Sequence, residues 1–309
     1  MFVTQNLKTL NMKKILTLLL LSGMILSSNA QDKDTLWNFN GVTSLNFSQL
    51  SLSNWAAGGE NSVSGNAIVN LAANYKSADE KINWNSELLL GYGLVRQGTD
   101  VVRKSDDKID LASKIGYAAS KKWSYTGLLG FKTQFTEGYA NPGDVNRTKI
   151  SNLMAPAYLG LSFGMDYKPK DNFTLFLAPL TGKMTFVLDE DLSAAGSFGV
   201  PAGEKVRSEF GGYVKIAYTK EVLKNVKLNT KIDLFSNYLE NPQYVDVNFD
   251  LLLSFKVNEY LSASFITQLI YDHDIQFAVL DDNGVPIPDA TEPRIQFKQL
   301  FGIGLTYSF

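Results

Sequence analysis

Apolar residues recur at every second position along most of this chain. The last segment shows it best. Ile295, Phe297, Phe301, Ile303, Leu305, Tyr307 and Phe309 share one side, broken only by Gln299, while Lys298, Leu300, Gly302, Gly304, Thr306 and Ser308 share the other. A period of two is that of a β-strand. One greasy, aromatic side set against a small, polar one suits a strand with lipid on one face and water on the other.

About twelve segments alternate in this way. They are Trp37–Leu50, Ser62–Tyr75, Ile82–Val95, Lys108–Ser120, Trp123–Glu137, Pro156–Lys168, Phe173 to about Leu188, Lys205–Thr219, Val226–Leu239, Val245–Val257, Leu261–Asp272 and the terminal one. Each exceeds the 9–11 residues, roughly, that a tilted crossing of a bilayer needs. The seventh is interrupted near Pro179 to Lys183, where a proline predicts a bulge or bend.

The links alternate too. Short ones join segments two to three, four to five, six to seven, eight to nine and ten to eleven. Longer ones, such as Gly138–Ala155 and His273–Arg294, fill most other gaps. Short turns at one end and long loops at the other are the organisation of an outer-membrane barrel, with the short turns periplasmic. Unpaired backbone groups in lipid cost several kcal/mol each, so the sheet is expected to close, its last strand pairing with its first. The expected fold is therefore all-β, a closed antiparallel transmembrane β-barrel of about twelve strands.

The start of the chain agrees with this. Lys13 and Lys14, an apolar run from Ile15 to Ile25, and the small residues Ser27, Ser28, Asn29 and Ala30 have the three-part form of a secretory signal. Residues 1–30 are read as that signal, cleaved after Ala30, and 31–309 as the barrel. The apolar run is shorter than the roughly 20 residues of a membrane helix. The chain has no cysteine, which excludes disulfides, thiolate metal sites and a lipidated cysteine. A formal net charge of −2 gives no sign of a nucleic-acid partner. No cofactor and no metal site are expected. The expected surroundings are the Gram-negative outer membrane, with its bilayer, its lipopolysaccharide and the machinery that assembles barrels. Phe309, a terminal aromatic on the last strand, resembles the sorting signal of bacterial outer-membrane barrels.

Three stretches carry a wider resemblance. Leu52-Ser53-Asn54-Trp55-Ala56-Ala57-Gly58-Gly59-Glu60-Asn61 lies in the first long loop. Ala178-Pro179-Leu180-Thr181-Gly182-Lys183-Met184-Thr185 interrupts the seventh segment, and Asp233-Leu234-Phe235-Ser236-Asn237-Tyr238-Leu239 lies in the ninth. Together they resemble a domain-of-unknown-function family of outer-membrane proteins from Bacteroidetes-type bacteria. The resemblance implies a secreted barrel and carries over no catalytic residues.

Candidate chemistry lies mostly on the polar faces. Glu87, Asp110, Lys114, Lys132, Asp166, Arg207, Glu209, Lys215, Lys231, Asp233, Asp246 and Asp250 are expected to line the lumen. A ring of one sign would mark an ion-selective pore, whereas mixed signs permit salt-bridge networks or a selective small-solute path. Trp55 with Gly58 and Gly59 is a candidate plug or ligand platform. His273, the only histidine, lies between Asp272 and Asp274, where a lipid hydrolase would keep its base. No Gly-x-Ser-x-Gly accompanies it. Asp281-Asp282-Asn283-Gly284 reads as a hairpin turn before it reads as a calcium loop, and Asp189-Glu190-Asp191 as a solvated acidic loop. Three functions stay open: a small-solute channel or uptake protein, a non-conducting scaffold or partner in an envelope assembly, and a barrel lipid hydrolase.

Overall fold

The computed structural model describes residues 36–52, 60–281 and 286–309. The signal segment 1–30 and the Trp55, Gly58 and Gly59 loop lie outside the described residues. In chain order the elements are β1 (Trp37–Leu50), β2 (Ser62–Lys76), β3 (Ile82–Gln97), β4 (Arg103–Ala118), β5 (Trp123–Thr133), β6 (Gly138–Tyr139), β7 (Lys149–Ser151), β8 (Ala157–Lys170) and β9 (Phe173–Phe186). A short helix α1 (Glu190–Ala194) and a 3-10 turn (Ser197–Gly199) follow. Then come β10 (Val206–Leu223), β11 (Val226–Asn237), β12 (Val245–Lys256), β13 (Leu261–Tyr271), β14 (Gln276–Leu280), β15 (Pro286–Pro293) and β16 (Gln296–Ser308).

Twelve of these strands close into one antiparallel barrel, in the order β1-β16-β13-β12-β11-β10-β9-β8-β5-β4-β3-β2. The other four form two small ribbons in the long loops, β6 with β7 and β14 with β15. The second ribbon is the hairpin expected around Asn283-Gly284, whose turn lies outside the described residues. The short turns have local causes. Lys224 and Asn225 join β10 to β11, and Asn225 takes the left-handed conformation that asparagine tolerates. Between β12 and β13 the Asn258 side chain accepts from the Tyr260 and Leu261 N–H groups at 2.9 and 2.7 Å.

The outside of the barrel is apolar. Phe39, Phe47, Tyr125, Phe163, Phe297 and Phe301 are all exposed there. Aromatics gather at both ends of the strands. Trp37 packs against Phe39, Tyr75 and Trp84, and Trp123 against Tyr167, at the short-turn end. Tyr92 meets Phe135, and Phe210 meets Tyr238, towards the long loops. Such paired girdles bound the lipid-facing band of membrane barrels.

Several strand limits differ from the sequence reading; β10 runs on to Leu223 rather than ending at Thr219, and two other differences lie side by side. The fourth strand starts at Arg103 rather than Lys108, and the fifth stops at Thr133 rather than continuing to Glu137. Pairing with β3 explains the first and Asp107 the second. Asp107, in β4, accepts from the Phe135 and Thr136 N–H groups at 2.7 and 3.0 Å and from Lys104 at 2.8 Å. Arg103 to Lys108 stay in the sheet by pairing with Gly91 to Val95 of β3, and the Asp107 bonds turn the chain away from the sheet after Thr133.

The interruption at Pro179 is a bulge. Phe163 faces Leu180 and Met165 faces Leu177 across β8, so two residues of β9 oppose Gly164. Across β10, Gly211 faces Thr181 while Tyr213 faces Ala178. The extra residue reverses the alternation of β9. Leu177 is exposed before the bulge and Leu180 and Met184 after it, while Phe176 and Ala178, then Thr181 and Thr185, are buried.

Candidate functional site

Eleven of the twelve charged residues named from the sequence meet opposite charges in mixed-sign groups, all but Asp250. At the long-loop mouth, Lys183 meets Asp246 at 2.8 Å, Glu209 at 3.3 Å and Asp272 at 3.8 Å. Beside it Arg207 contacts Asp274 at 2.7 Å, Glu240 at 3.3 Å and Glu209 at 3.6 Å. Deeper, Lys114 pairs with Asp166 at 2.9 Å, Lys215 with Asp233 at 3.6 Å, and Asp110 with Lys108 at 3.5 Å and Lys132 at 3.9 Å. The Asp233 carboxylate also accepts from the Tyr213 hydroxyl, and Asp250 accepts from Gln268 at 3.0 Å.

Two pairs cross the lumen. Lys231 on β11 reaches Glu87 on β3 at 3.2 Å, and these strands stand half-way round the barrel from each other. Lys298 on β16 reaches Asp106 on β4. The Lys231 and Glu87 side chains keep 42 % and 40 % of their surface accessible, though both lie midway along the interior. Next to them the inner wall has no side-chain cover. Gly130 and Gly160 face each other across β5 and β8, and a Cβ at either would meet nothing within 4 Å.

Lys183, Asp272, Asp274, Lys298 and Asp106 were absent from the sequence candidates. Lys183 was hidden by the bulge, because unbroken alternation from Leu175 and Leu177 would turn it outward. Asp272 ends the eleventh segment and Asp274 lies just beyond it, where a sequence gives no facing.

The long loops build a cap over the mouth. Ala155, Val187, Leu192 and Val200 form a small buried core with Phe198 packed on it. Arg207 fastens it by donating to the Gly199 carbonyl at 3.2 Å. A cleft of about 770 Å³ opens beside it, lined by Tyr139, Arg147, Lys149, Asp191, Phe198 and Gln276 among others. The Asp189 to Asp191 run, read from sequence as solvated, has a structural job. Asp189 caps α1, accepting from the Asp191 and Leu192 N–H groups at 3.2 Å each, and receives Lys149 and Asn152 at 2.8 Å.

Burial opposes the Asp189 charge, but the hydrogen bonds from Lys149, Asn152 and Leu192 outweigh it and lower the carboxyl from 3.8 to about 2. Its hydrogen bonds to Asp189 and Asp191 raise the Lys149 ammonium. A depressed carboxyl stabilises the docked cap above its unfolded value, and that contribution fades as pH falls from about 4 towards 2. A raised lysine contributes below about 10.5 and loses its share above that. Limited proteolysis of the β9–β10 loop should therefore accelerate below pH 4. Asp189→Asn should show the acid rate already at pH 7; equal rates for both proteins at pH 7 would mean the ion pair does not hold the cap.

The His273 ring stacks on Tyr244 at 3.6 Å, and its Nδ1 lies 3.5 Å from the Tyr271 hydroxyl. Among the described residues no serine is hydrogen-bonded to this ring. No group of three or more His, Asp or Glu residues there is arranged to hold a metal ion.

Residues 47–139 match the family model described as a protein of unknown function (DUF3078). The match runs from the end of β1 to β6 and includes the first of the three stretches quoted above, Leu52 to Asn61. The other two lie beyond it. No curated protein sequence matches the chain. Among solved structures, an outer-membrane channel from Pseudomonas putida F1 is 12 % identical, covering 91 % of this chain and 98 % of that one with a TM-score of 0.39. The translocator domain of the autotransporter NalP from Neisseria meningitidis is 9 % identical over 93 % of both chains, with a TM-score of 0.38. The NanC porin is 7 % identical over 87 % of this chain and 98 % of its own, with a TM-score of 0.35. At such distances none of these proteins' activities transfers to this chain.

Proposed function

We propose that this chain is an outer-membrane barrel that passes a small polar solute along a wet, charge-lined lumen. One observation carries the reading: Glu87 and Lys231 meet from opposite walls midway through the barrel, yet both stay accessible to water. A closed plug would bury such a pair. Here two flexible side chains make the constriction, and the bare wall at Gly130 and Gly160 leaves room beside it. A solute carrying charge of either sign could exchange with one partner of the pair as it passes. The mixed signs along the lumen suit that stepwise exchange better than bulk ion flow.

The test is single-channel recording of refolded protein in planar bilayers. The wild type should show discrete openings. Glu87→Gln leaves an uncompensated lysine and should shift the reversal potential towards anions, while Lys231→Gln should shift it towards cations. Folded barrels that stay silent in all three forms would sink the channel reading and favour a scaffold whose capped mouth contacts a partner.

A further inference from the structure

The seam between β1 and β16 is closed for only part of its length. Five residues are in register, from Val42 opposite Ser308 to Asn46 opposite Gly304. Below them the Gly41 and Phe309 main chains exchange hydrogen bonds at 2.9 and 3.0 Å. This lower part is tight. The Ser44 and Thr306 hydroxyls touch at 3.1 Å, and any side chain at Gly304 would overlap the Leu45 carbonyl.

Above Asn46 the two strands part. The next pairs in register would be Phe47 with Ile303 and Ser48 with Gly302, and neither forms. Neither strand is frayed there. β1 stays paired with β2 up to Leu50 opposite Ser62, and β16 stays paired with β13 up to Gln296 opposite Ile270. The result is a slit between two regular strands. Its outer lips are Phe47, Phe297, Phe301 and Ile303, which are 52–63 % exposed. Lips so apolar belong against lipid, where unpaired backbone is costly and is kept only for a reason.

The inner side of the slit suits an amphiphile. Leu252 faces Ile266 and Ile266 faces Leu300 across β12, β13 and β16, making a short apolar row in an otherwise polar lumen. Gly302 and Ser48 are small, and the Asn46 side chain, bonded to Asn66, stands beside Gly302 at the lower end of the inner edge. One inward position beyond Leu300 stands Lys298, 40 % accessible and paired with Asp106. The geometry points to a lateral portal between lumen and bilayer for a single-chain amphiphile with a carboxylate head. The chain lies on Leu252, Ile266 and Leu300, and the head displaces Asp106 from Lys298. This route is separate from the axial path through Glu87 and Lys231.

The chain's lack of cysteine makes the test clean. Leu300 is replaced by a benzophenone amino acid, and the protein is placed in phosphatidylcholine vesicles containing radiolabelled palmitate. Illumination should give a palmitate adduct. Adding Ser48→Cys and Gly302→Cys and oxidising the pair should cut the adduct at least tenfold, and reduction should restore it. Loss of free thiol verifies the staple, and a bismaleimide replaces the disulfide where the slit is too wide. Ser44→Cys with Thr306→Cys staples the part already closed and should change nothing. Lys298→Gln should weaken capture several-fold. No adduct, or an adduct unaffected by the upper staple, would overturn the portal. Conductance of the stapled protein, unchanged if the axial path is separate, reports on the channel independently.

Discussion

Gly304→Val should prevent the barrel from closing. A side chain at Gly304 on β16 would occupy the space of the Leu45 carbonyl on β1. The clash cannot be relieved by rotating a side chain, because the obstacle is backbone. It falls at one end of the five-residue register that is the seam's only strand pairing. Losing that register leaves two strand edges facing lipid, at several kcal/mol for each unpaired group. A domain's whole stability is only about 5–15 kcal/mol, so no folded population should remain. Folded barrels resist dodecyl sulfate until heated, and the unheated electrophoretic shift is the measurement. The wild type should show it and Gly304→Val should not. Gly160→Ala, which adds a methyl group in open space, should behave as wild type. A heat-modifiable Gly304→Val would mean the strands can close without that approach.

Lys183→Met should leave a barrel that closes but is destabilised by about 3–5 kcal/mol, the usual cost of stranding buried partners. Lys183 is the hub of the mouth cluster. Glu209, Asp246 and Asp272 converge on it, and their side chains are 3 %, 17 % and 16 % accessible. Glu209 is the most buried of the three: Lys183 meets its Oε2, while its Oε1 has no hydrogen-bond donor and only Arg207 at 3.6 Å. Removing the ammonium leaves like charges facing one another out of reach of bulk water. Lys183→Met combined with Glu209→Gln and Asp246→Asn should recover much of the loss, since replacing a whole ionic group by neutral residues costs little. Urea unfolding in lipid vesicles measures both. An unchanged midpoint for the single variant would show that water screens the cluster.

The architecture was legible because lipid imposes a simple rule on it. A strand with hydrocarbon on one side and water on the other must alternate, so Phe297 to Phe309 and Ile82 to Leu94 announce both their structure and their facing. The same rule set the strand charges opposite the apolar face. Legibility failed where the rule is locally suspended. Pro179 signalled a bulge, but the reversal of facing beyond it, which turns Lys183 inward, follows only from the two-for-one pairing opposite Gly164 and Gly212. The charged run at Arg103 to Lys108 resembled a loop because its place in the sheet comes from pairing with Gly91 to Val95 of β3, which its own polar residues do not announce. The slit above Asn46 has no local signature at all. Its residues alternate as well as any others, and only their failure to meet distinguishes them.

The two pairs that cross the lumen also bear on the order of assembly. Glu87 and Lys231 are 144 residues apart in sequence, and Asp106 and Lys298 are 192 apart. Neither pair can form in an open sheet, since each joins walls that approach only once the ends have met. Contacts so distant in sequence are entropically the slowest to make. They latch after closure, so they are missing from any transition state that precedes it. Interactions of that kind leave the folding rate alone and slow unfolding. The charges that line the path would thus also set how long a finished barrel stays finished.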